Sequence, residues 1–262
     1  MATAAIVTRP QVLGLGYYAR VVAQETRYEF LKMFRAKAFS LSVVGFPVMF
    51  YLIFGATNHH IEYARYLLAS YSCFGMVGAS LFGLGAGVAL ERAQGWLELK
   101  QASPMPRIVY LVAKTATCAA IAMITVALLL AVGITLGGVT LTALEVVKLI
   151  AITLAGAIPF SAMGLLISFI LPPNAGPGMI NIIYLPMSFA SGLWMPIDLL
   201  PHWIQRIAPT LPTYHYAQIA LNIFGYAQAG TSMSLHWEAL IGFTCVLLGA
   251  AWLVFTRSEA KA

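Results

Sequence analysis

Long apolar stretches separated by short clusters of charge, proline and glycine run along most of this chain. A helix needs about 20 mostly apolar residues to cross a hydrocarbon core roughly 30 Å thick, so each charge-free stretch is a candidate span. Ala38 to Ala56 is the first, Tyr66 to Leu90 the second and Thr115 to Leu136 the third. Leu149 to Ile197 holds no charged residue at all. At ~1.5 Å per residue that stretch is too long for one crossing and must fold back. The break falls at Leu171-Pro172-Pro173-Asn174-Ala175-Gly176-Pro177-Gly178, because consecutive prolines cannot continue a helix and Gly and Asn tolerate turns. Spans four (Leu149 to Leu171) and five (Gly178 to Trp194) follow, and Ala239 to Thr256 is the sixth. The pattern predicts an all-α polytopic membrane protein with six transmembrane helices over residues 38–256. An N-terminal segment, 1–37, and a short tail, 257–262, flank them.

Two segments fit no simple crossing. Tyr214 to Tyr226 is apolar enough to enter a bilayer but short and polar for a span. Together with the proline-punctuated Pro196 to Pro212 it reads as a re-entrant or interfacial pair of short helices within 195–234, since irregular backbone at membrane depth must be shielded by protein. A seventh span is the alternative, and would move the C-terminal tail to the other side. Over Ala19 to Phe34, the residues Ala19, Val22, Ala23, Phe30, Met33 and Phe34 share one arc at helical spacing, while Arg20, Gln24, Glu25, Glu29, Lys32 and Arg35 lie elsewhere. Val21, Tyr28 and Leu31 interrupt the pattern. The expectation is an amphipathic helix on the membrane surface, with a solvated basic leader as the alternative.

Composition narrows the class. Of 262 residues, 60% are hydrophobic and only 9% charged, against roughly 25% in soluble domains. A soluble enzyme, a disordered chain and a nucleic-acid-binding protein are excluded. The charges also orient the bundle. Arg9, Arg20, Arg27, Lys32, Arg35 and Lys37 precede span one; Arg92, Lys100, Arg107 and Lys114 separate spans two and three; Arg257 and Lys261 follow span six. Only Arg65, Lys148 and Arg206 fall on the other side. The positive-inside rule then predicts cytoplasmic termini in a plasma membrane, the inner membrane of a bacterium. Cys73, Cys118 and Cys245 lie in apolar runs without metal-binding spacing and read as small buried hydrophobes. His59, His60, His202, His215 and His236 all fall on the outer side and read as interfacial polar residues; no metal site is expected. The first long apolar run begins too far along the chain for a cleavable signal.

Ionisable residues inside spans usually mark proton relays, ion paths or intramembrane catalysis. None falls within these span cores, so energy for directed transport must come from elsewhere. The segment 91–108 holds the sizeable cytoplasmic loop, Glu91-Arg92-Ala93-Gln94-Gly95-Trp96-Leu97-Glu98-Leu99-Lys100-Gln101-Ala102-Ser103-Pro104-Met105-Pro106-Arg107. A connection alone could be short and polar. An exposed Trp-Leu patch amid charge points to docking on a protein partner.

The pattern E-R-x-x-G-x-L-E-x-x-x-x-S-P, followed by Tyr110 and Lys114, resembles the type-2 ABC transporter permease family. So does Gly192-Leu193-Trp194-Met195-Pro196 with Leu200-Pro201-His202-Trp203-Ile204, Pro209 and Leu211-Pro212. Trp96 departs from many relatives, which carry a smaller or β-branched residue there. The resemblance implies a permease subunit of an ATP-driven exporter that binds no cofactor itself, with Mg-ATP on separate ABC ATPase subunits. In agreement, the chain holds no G-x-x-x-x-G-K-[ST] phosphate loop. By resemblance, Glu91, Arg92, Gly95, Trp96, Leu97 and Glu98 form the coupling contact. Trp96 and Leu97 would be apolar anchors, Glu91, Arg92 and Glu98 orienting charges, and Gly95 a backbone accommodation.

A second permease copy, identical or related, is implied as well. Gly75, Ala79, Gly83 and Gly87 recur every four residues and allow close helix approach, either inside one subunit or at the dimer interface. Asn181, Tyr184, Met187, Ser188 and Ser191, with Pro186 between them, either line a path for an amphiphilic substrate or pack ordinarily; Pro47 and Pro159 are hinges or simple kinks. The segment after span five, with Trp194, Pro196, Pro201 and Trp203, is expected to form an outer gate in an alternating-access cycle. A drug-like, lipid-like or polysaccharide cargo is compatible with so uncharged a route. A passive channel and a non-transporting scaffold are the other classes, and the chain shows no repeated filter-like motif.

Overall fold

The computed structural model describes residues 15–58, 60–96, 99–100, 105–172 and 177–259. Every regular element among them is helical. Helix α1 is Leu15–Arg35. Residues 37–56 form α2, in which π-helical turns at Leu41–Gly45 and Tyr51–Ala56 alternate with α-helical ones. Then come α3 (Ile61–Ala93), α4 (Arg107–Thr135), α5 (Ala143–Ile170) and α6 (Pro177–Ala190). Two short helices, α7 (His202–Ile207) and α8 (Pro212–Leu221), precede α9 (Met233–Glu259).

Four of these, α3, α4, α5 and α9, are long and apolar enough to cross a membrane. The apolar part of α2, Leu41–Ala56, is shorter. Helix α6 has 14 residues, roughly 21 Å of rise. The helices corresponding to spans two, three, four and six begin five to eight residues before their predicted starts. A charge-free rule stops at Arg65, Lys114, Lys148 and Glu238, whereas a helix continues through a charge that is paired or lies beyond the hydrocarbon. Span five ends earlier than expected, at Ala190 rather than Trp194. Of the expected break, Pro173, Asn174, Ala175 and Gly176 lie outside the described residues.

Local chemistry sets the helix ends. At the start of α5 the Thr142 and Glu145 side chains cap each other's backbone N–H groups. Glu145 also pairs with Arg65 of α3, and the Arg65 guanidinium lies 5.1 Å from the Phe224 ring centre. Close helix approach rests on missing side chains. A Cβ at Gly164 of α5 would fall 2.8 Å from the Ser80 carbonyl oxygen of α3, and one at Gly156 would fall 2.4 Å from the Tyr216 ring of α8. Helix α3 is the axis of the bundle: 83% of its most apolar window is buried, against 11% for α9.

Three details revise the sequence expectations. Ala19, Ala23 and Phe34 of the expected apolar arc on α1 are exposed, Met33 of that arc is buried, and the side turned to α4 also includes Thr26 and Glu29. That face tolerates a carboxylate because lysines of other elements meet it. Cys245 is exposed on α9 rather than buried like Cys73 and Cys118. His215 and His236 are buried against each other, with their Nδ1 atoms 2.9 Å apart.

Candidate functional site

The segment expected to meet a partner begins at the end of α3 and leaves it at Gly95, where φ of +72° suits glycine. The Leu99 N–H donates to the Gly95 carbonyl, closing a helical turn that carries Trp96 outward, 55% exposed. Leu97 and Glu98 lie outside the described residues. Arg92 points back into the bundle and donates to the Leu171 carbonyl at 2.7 Å, closing the C-terminal end of α5.

Glu91 is placed differently from an outward-facing charge. Its side chain is buried, accepting from Tyr110 at 2.5 Å and from Lys114 at 2.9 Å, and pairing with Lys32 of α1. Lys114, also buried, reaches Glu29 of α1 at 3.0 Å. On the loop, Lys100 donates to Glu25 at 2.5 Å and Glu29 at 2.9 Å, and lies 4.6 Å from the Tyr110 ring centre. Three carboxylates, Glu25, Glu29 and Glu91, thus meet three ammonium groups, Lys32, Lys100 and Lys114. The charge balance lets so many ionised groups leave water together. Burial pushes the Glu29 carboxyl up, and the Glu91 charge adds to that; the Lys114 charge and hydrogen bonds from Lys100 and Lys114 outweigh both, holding it below the ordinary 4.5. Burial lowers Lys100, but Glu25 and Glu29 raise it further, leaving it above its usual value. The loop is therefore lashed at Glu91 and at Lys100 to both α1 and α4.

The glycine stripe is covered from within the chain. A Cβ at Gly75 would meet Thr125 of α4 at 2.8 Å, and one at Gly83 would meet Cys118 at 2.6 Å and Met33 at 2.7 Å. Ala79 is fully buried. These three pack inside the subunit, the first of the two places expected for the stripe. Gly87 meets only the Phe82 carbonyl of its own helix within 4 Å.

In α6, Tyr184 is also turned inward: it stacks on Phe74 with ring centres 4.7 Å apart and donates to the Phe74 carbonyl at 2.8 Å. Met187 and Ser188 are buried, Asn181 is partly exposed, and Pro186 lies inside the continuous helix. Ser191 donates to the Met187 carbonyl at 2.7 Å and contacts the Thr213 hydroxyl.

After α6 the chain turns at Gly192, with φ of +76°. The next four carbonyls face α3. Tyr66 donates to Gly192 at 2.7 Å and to Met195 at 3.3 Å, Ser70 to Leu193 at 2.6 Å, and Tyr71 to Trp194 at 3.3 Å. Trp194 packs among Phe50, Phe74 and Phe189. Pro196 is partly buried, whereas Pro201 and Trp203 are exposed. Among the described residues no group of three or more His, Cys, Asp or Glu side chains could hold a metal ion.

Sequence reasoning named the loop but missed Glu25, Glu29, Lys32 and Lys100 as its anchors, and Tyr66, Ser70 and Tyr71 as the partners of residues 192–195. The signal available was the spacing of Glu25, Glu29 and Lys32 on one side of a helix beside a basic loop.

Several long apolar helices packed around a buried one define a multi-pass membrane protein. Residues 22–224 match the family model described as ABC-2 type transporter. The chain belongs to that family, and is a membrane-spanning permease of an ABC transporter. It is also similar to the transport permease YvfS of Bacillus subtilis (strain 168), with 28% identity over 208 residues, 78% of this chain and 85% of that one.

Proposed function

We propose that this chain is the permease subunit of an ATP-driven exporter, working with separate ABC ATPase subunits and a second permease copy to move an amphiphilic substrate. The observation that carries this reading is Trp96: an exposed indole on a turn whose two flanks, Glu91 and Lys100, are fixed by ion pairs to α1 and α4. A flexible loop would absorb a push, whereas this one transmits it. Mg-ATP is bound and hydrolysed on the partner, and this subunit supplies the path.

In this reading α2 and α6 complete six crossings in a bacterial inner membrane. The end carrying α1 and the Trp96 turn is cytoplasmic, and 195–234 is a re-entrant outer segment. Nucleotide-driven closure of the ATPases moves the loops, and the two permeases tilt to open a cleft outward. Asn181 on α6 and Gly87 on α3, the predicted path residues least covered by this chain, are where a second copy or substrate makes contact. Co-expression with the ABC ATPase subunits of its own genome tests the reading. The parent chain is expected to copurify with an ATPase and Trp96→Ala to lose it; equal recovery, or no ATPase with either, would overturn it.

A further inference from the structure

Helix α3 is tied at both ends to segments that matter for transport. Near its C-terminal end Glu91 enters the ion cluster. Near its start Tyr66, Ser70 and Tyr71 occupy the carbonyls of four successive residues, Gly192 to Met195. The chain from Tyr66 to Glu91 is helical throughout, α-helical apart from a π-helical stretch at Leu81–Ala86, and at ~1.5 Å per residue rises by at most roughly 38 Å. The middle is gripped throughout, because nearly every residue of α3 from Tyr66 to Gly85 is buried. A buried helix with fixed ends moves as a unit.

The hydrogen bonds at the far end also have a chemical direction. Residues 191–196 are turns and bends without a helical ladder of their own, and carbonyls without partners are costly away from water. Side chains of α3 supply the donors. Wherever α3 goes, the segment must follow or leave those carbonyls bare.

We infer that Tyr66, Ser70 and Tyr71 are positioning residues that tie the segment 192–195 to α3, so that displacement delivered at the Glu91 end reaches the outer segment through this one helix. The inference rests on the reading of the Trp96 loop as the driven end. Tyr66 and Ser70 carry the link, having the shorter bonds, and Tyr71 adds to it.

The test uses the permease assembled with its ATPase subunits in proteoliposomes, on a background in which Cys73, Cys118 and Cys245 are alanine. Reporter cysteines replace Leu199 in the outer segment and Tyr28 on α1, both well exposed. Maleimide labelling is followed with and without Mg-ATP and vanadate. The parent is expected to respond at both positions. In Tyr66→Phe with Ser70→Ala the response at 199 falls by at least about fivefold, the factor that corresponds to roughly 1 kcal/mol for a single lost bond, while that at 28 persists. If the double variant does not assemble, each single variant is measured the same way. An unchanged response at 199, or an equal fall at both positions, overturns the inference. A parent responding at neither position overturns the reading of the driven end and the inference with it.

Discussion

The two ends of α3 are held by different chemistry. At Glu91 the contacts are between full charges on side chains from α1, α3, α4 and the loop. At Tyr66 they are neutral, from hydroxyl groups to backbone carbonyls. A charged cluster is specific about its members, since removing one strands the others; a neutral ladder loses one bond at a time and degrades gradually. The charged end suits a segment that must keep its shape under load, and the neutral end one that is carried along.

The largest expected effect comes from breaking the charged end. Lys114→Met leaves three carboxylates against two ammonium groups, one buried negative charge uncompensated, and is expected to cost about 3–5 kcal/mol. Unfolding of the purified protein in detergent would show it as a large fall in midpoint. The charge-balanced double variant Glu29→Gln, Lys114→Met, which leaves Glu25 and Glu91 against Lys32 and Lys100, is expected to recover most of the loss; a double as unstable as the single would remove the charge argument.

At the neutral end Tyr66→Phe keeps the ring and leaves the Gly192 carbonyl without its shorter bond, for a loss of about 1–3 kcal/mol. The same melt measures it, with Tyr71→Phe smaller because its bond is longer. A cost for Tyr66→Phe matching Lys114→Met would erase the contrast.

Acid separates the ends without mutation. The Glu29 pKa is lowered on folding, so its contribution is complete above the ordinary 4.5 and is lost as pH falls through the folded value. The ladder at 192–195 contains no carboxylate. Hydrogen exchange is expected to accelerate first in α1 as pH falls below 4.5, while amides near Gly192 stay protected. Simultaneous release would show that the cluster is not where acid acts.

The smallest change in stability belongs to Trp96→Ala. The indole is exposed and the turn is anchored elsewhere, so the melt is expected to move by less than about 0.5 kcal/mol. A marked loss of stability would show that Trp96 packs within its own chain rather than waiting for a partner.

How much of this was legible differs from helix to helix. The apolar stretches behind α3, α4, α5 and α9 stand out in the sequence because crossing hydrocarbon demands them. Their ends do not: a charge-free rule stops at Arg65 and Lys114, yet each sits inside a helix because a partner from another element satisfies it. The Trp96 loop was visible as an apolar residue among charges. The inward turn of Glu91 was not, because nothing local distinguishes an outward carboxylate from one that meets Lys114.

Composition and the spacing of charge by themselves determined that this is a multi-span membrane protein and picked out the segment that carries Trp96. Hydrocarbon imposes a length and polarity requirement that can be counted along a chain. Only the tertiary structure decided that α3 is buried while α9 is largely exposed, that Gly75 and Gly83 pack inside the subunit, and that Glu29 finds Lys114 across 85 residues of sequence. Helix periodicity can mark a face, but which partner meets that face is set by packing among all the helices together.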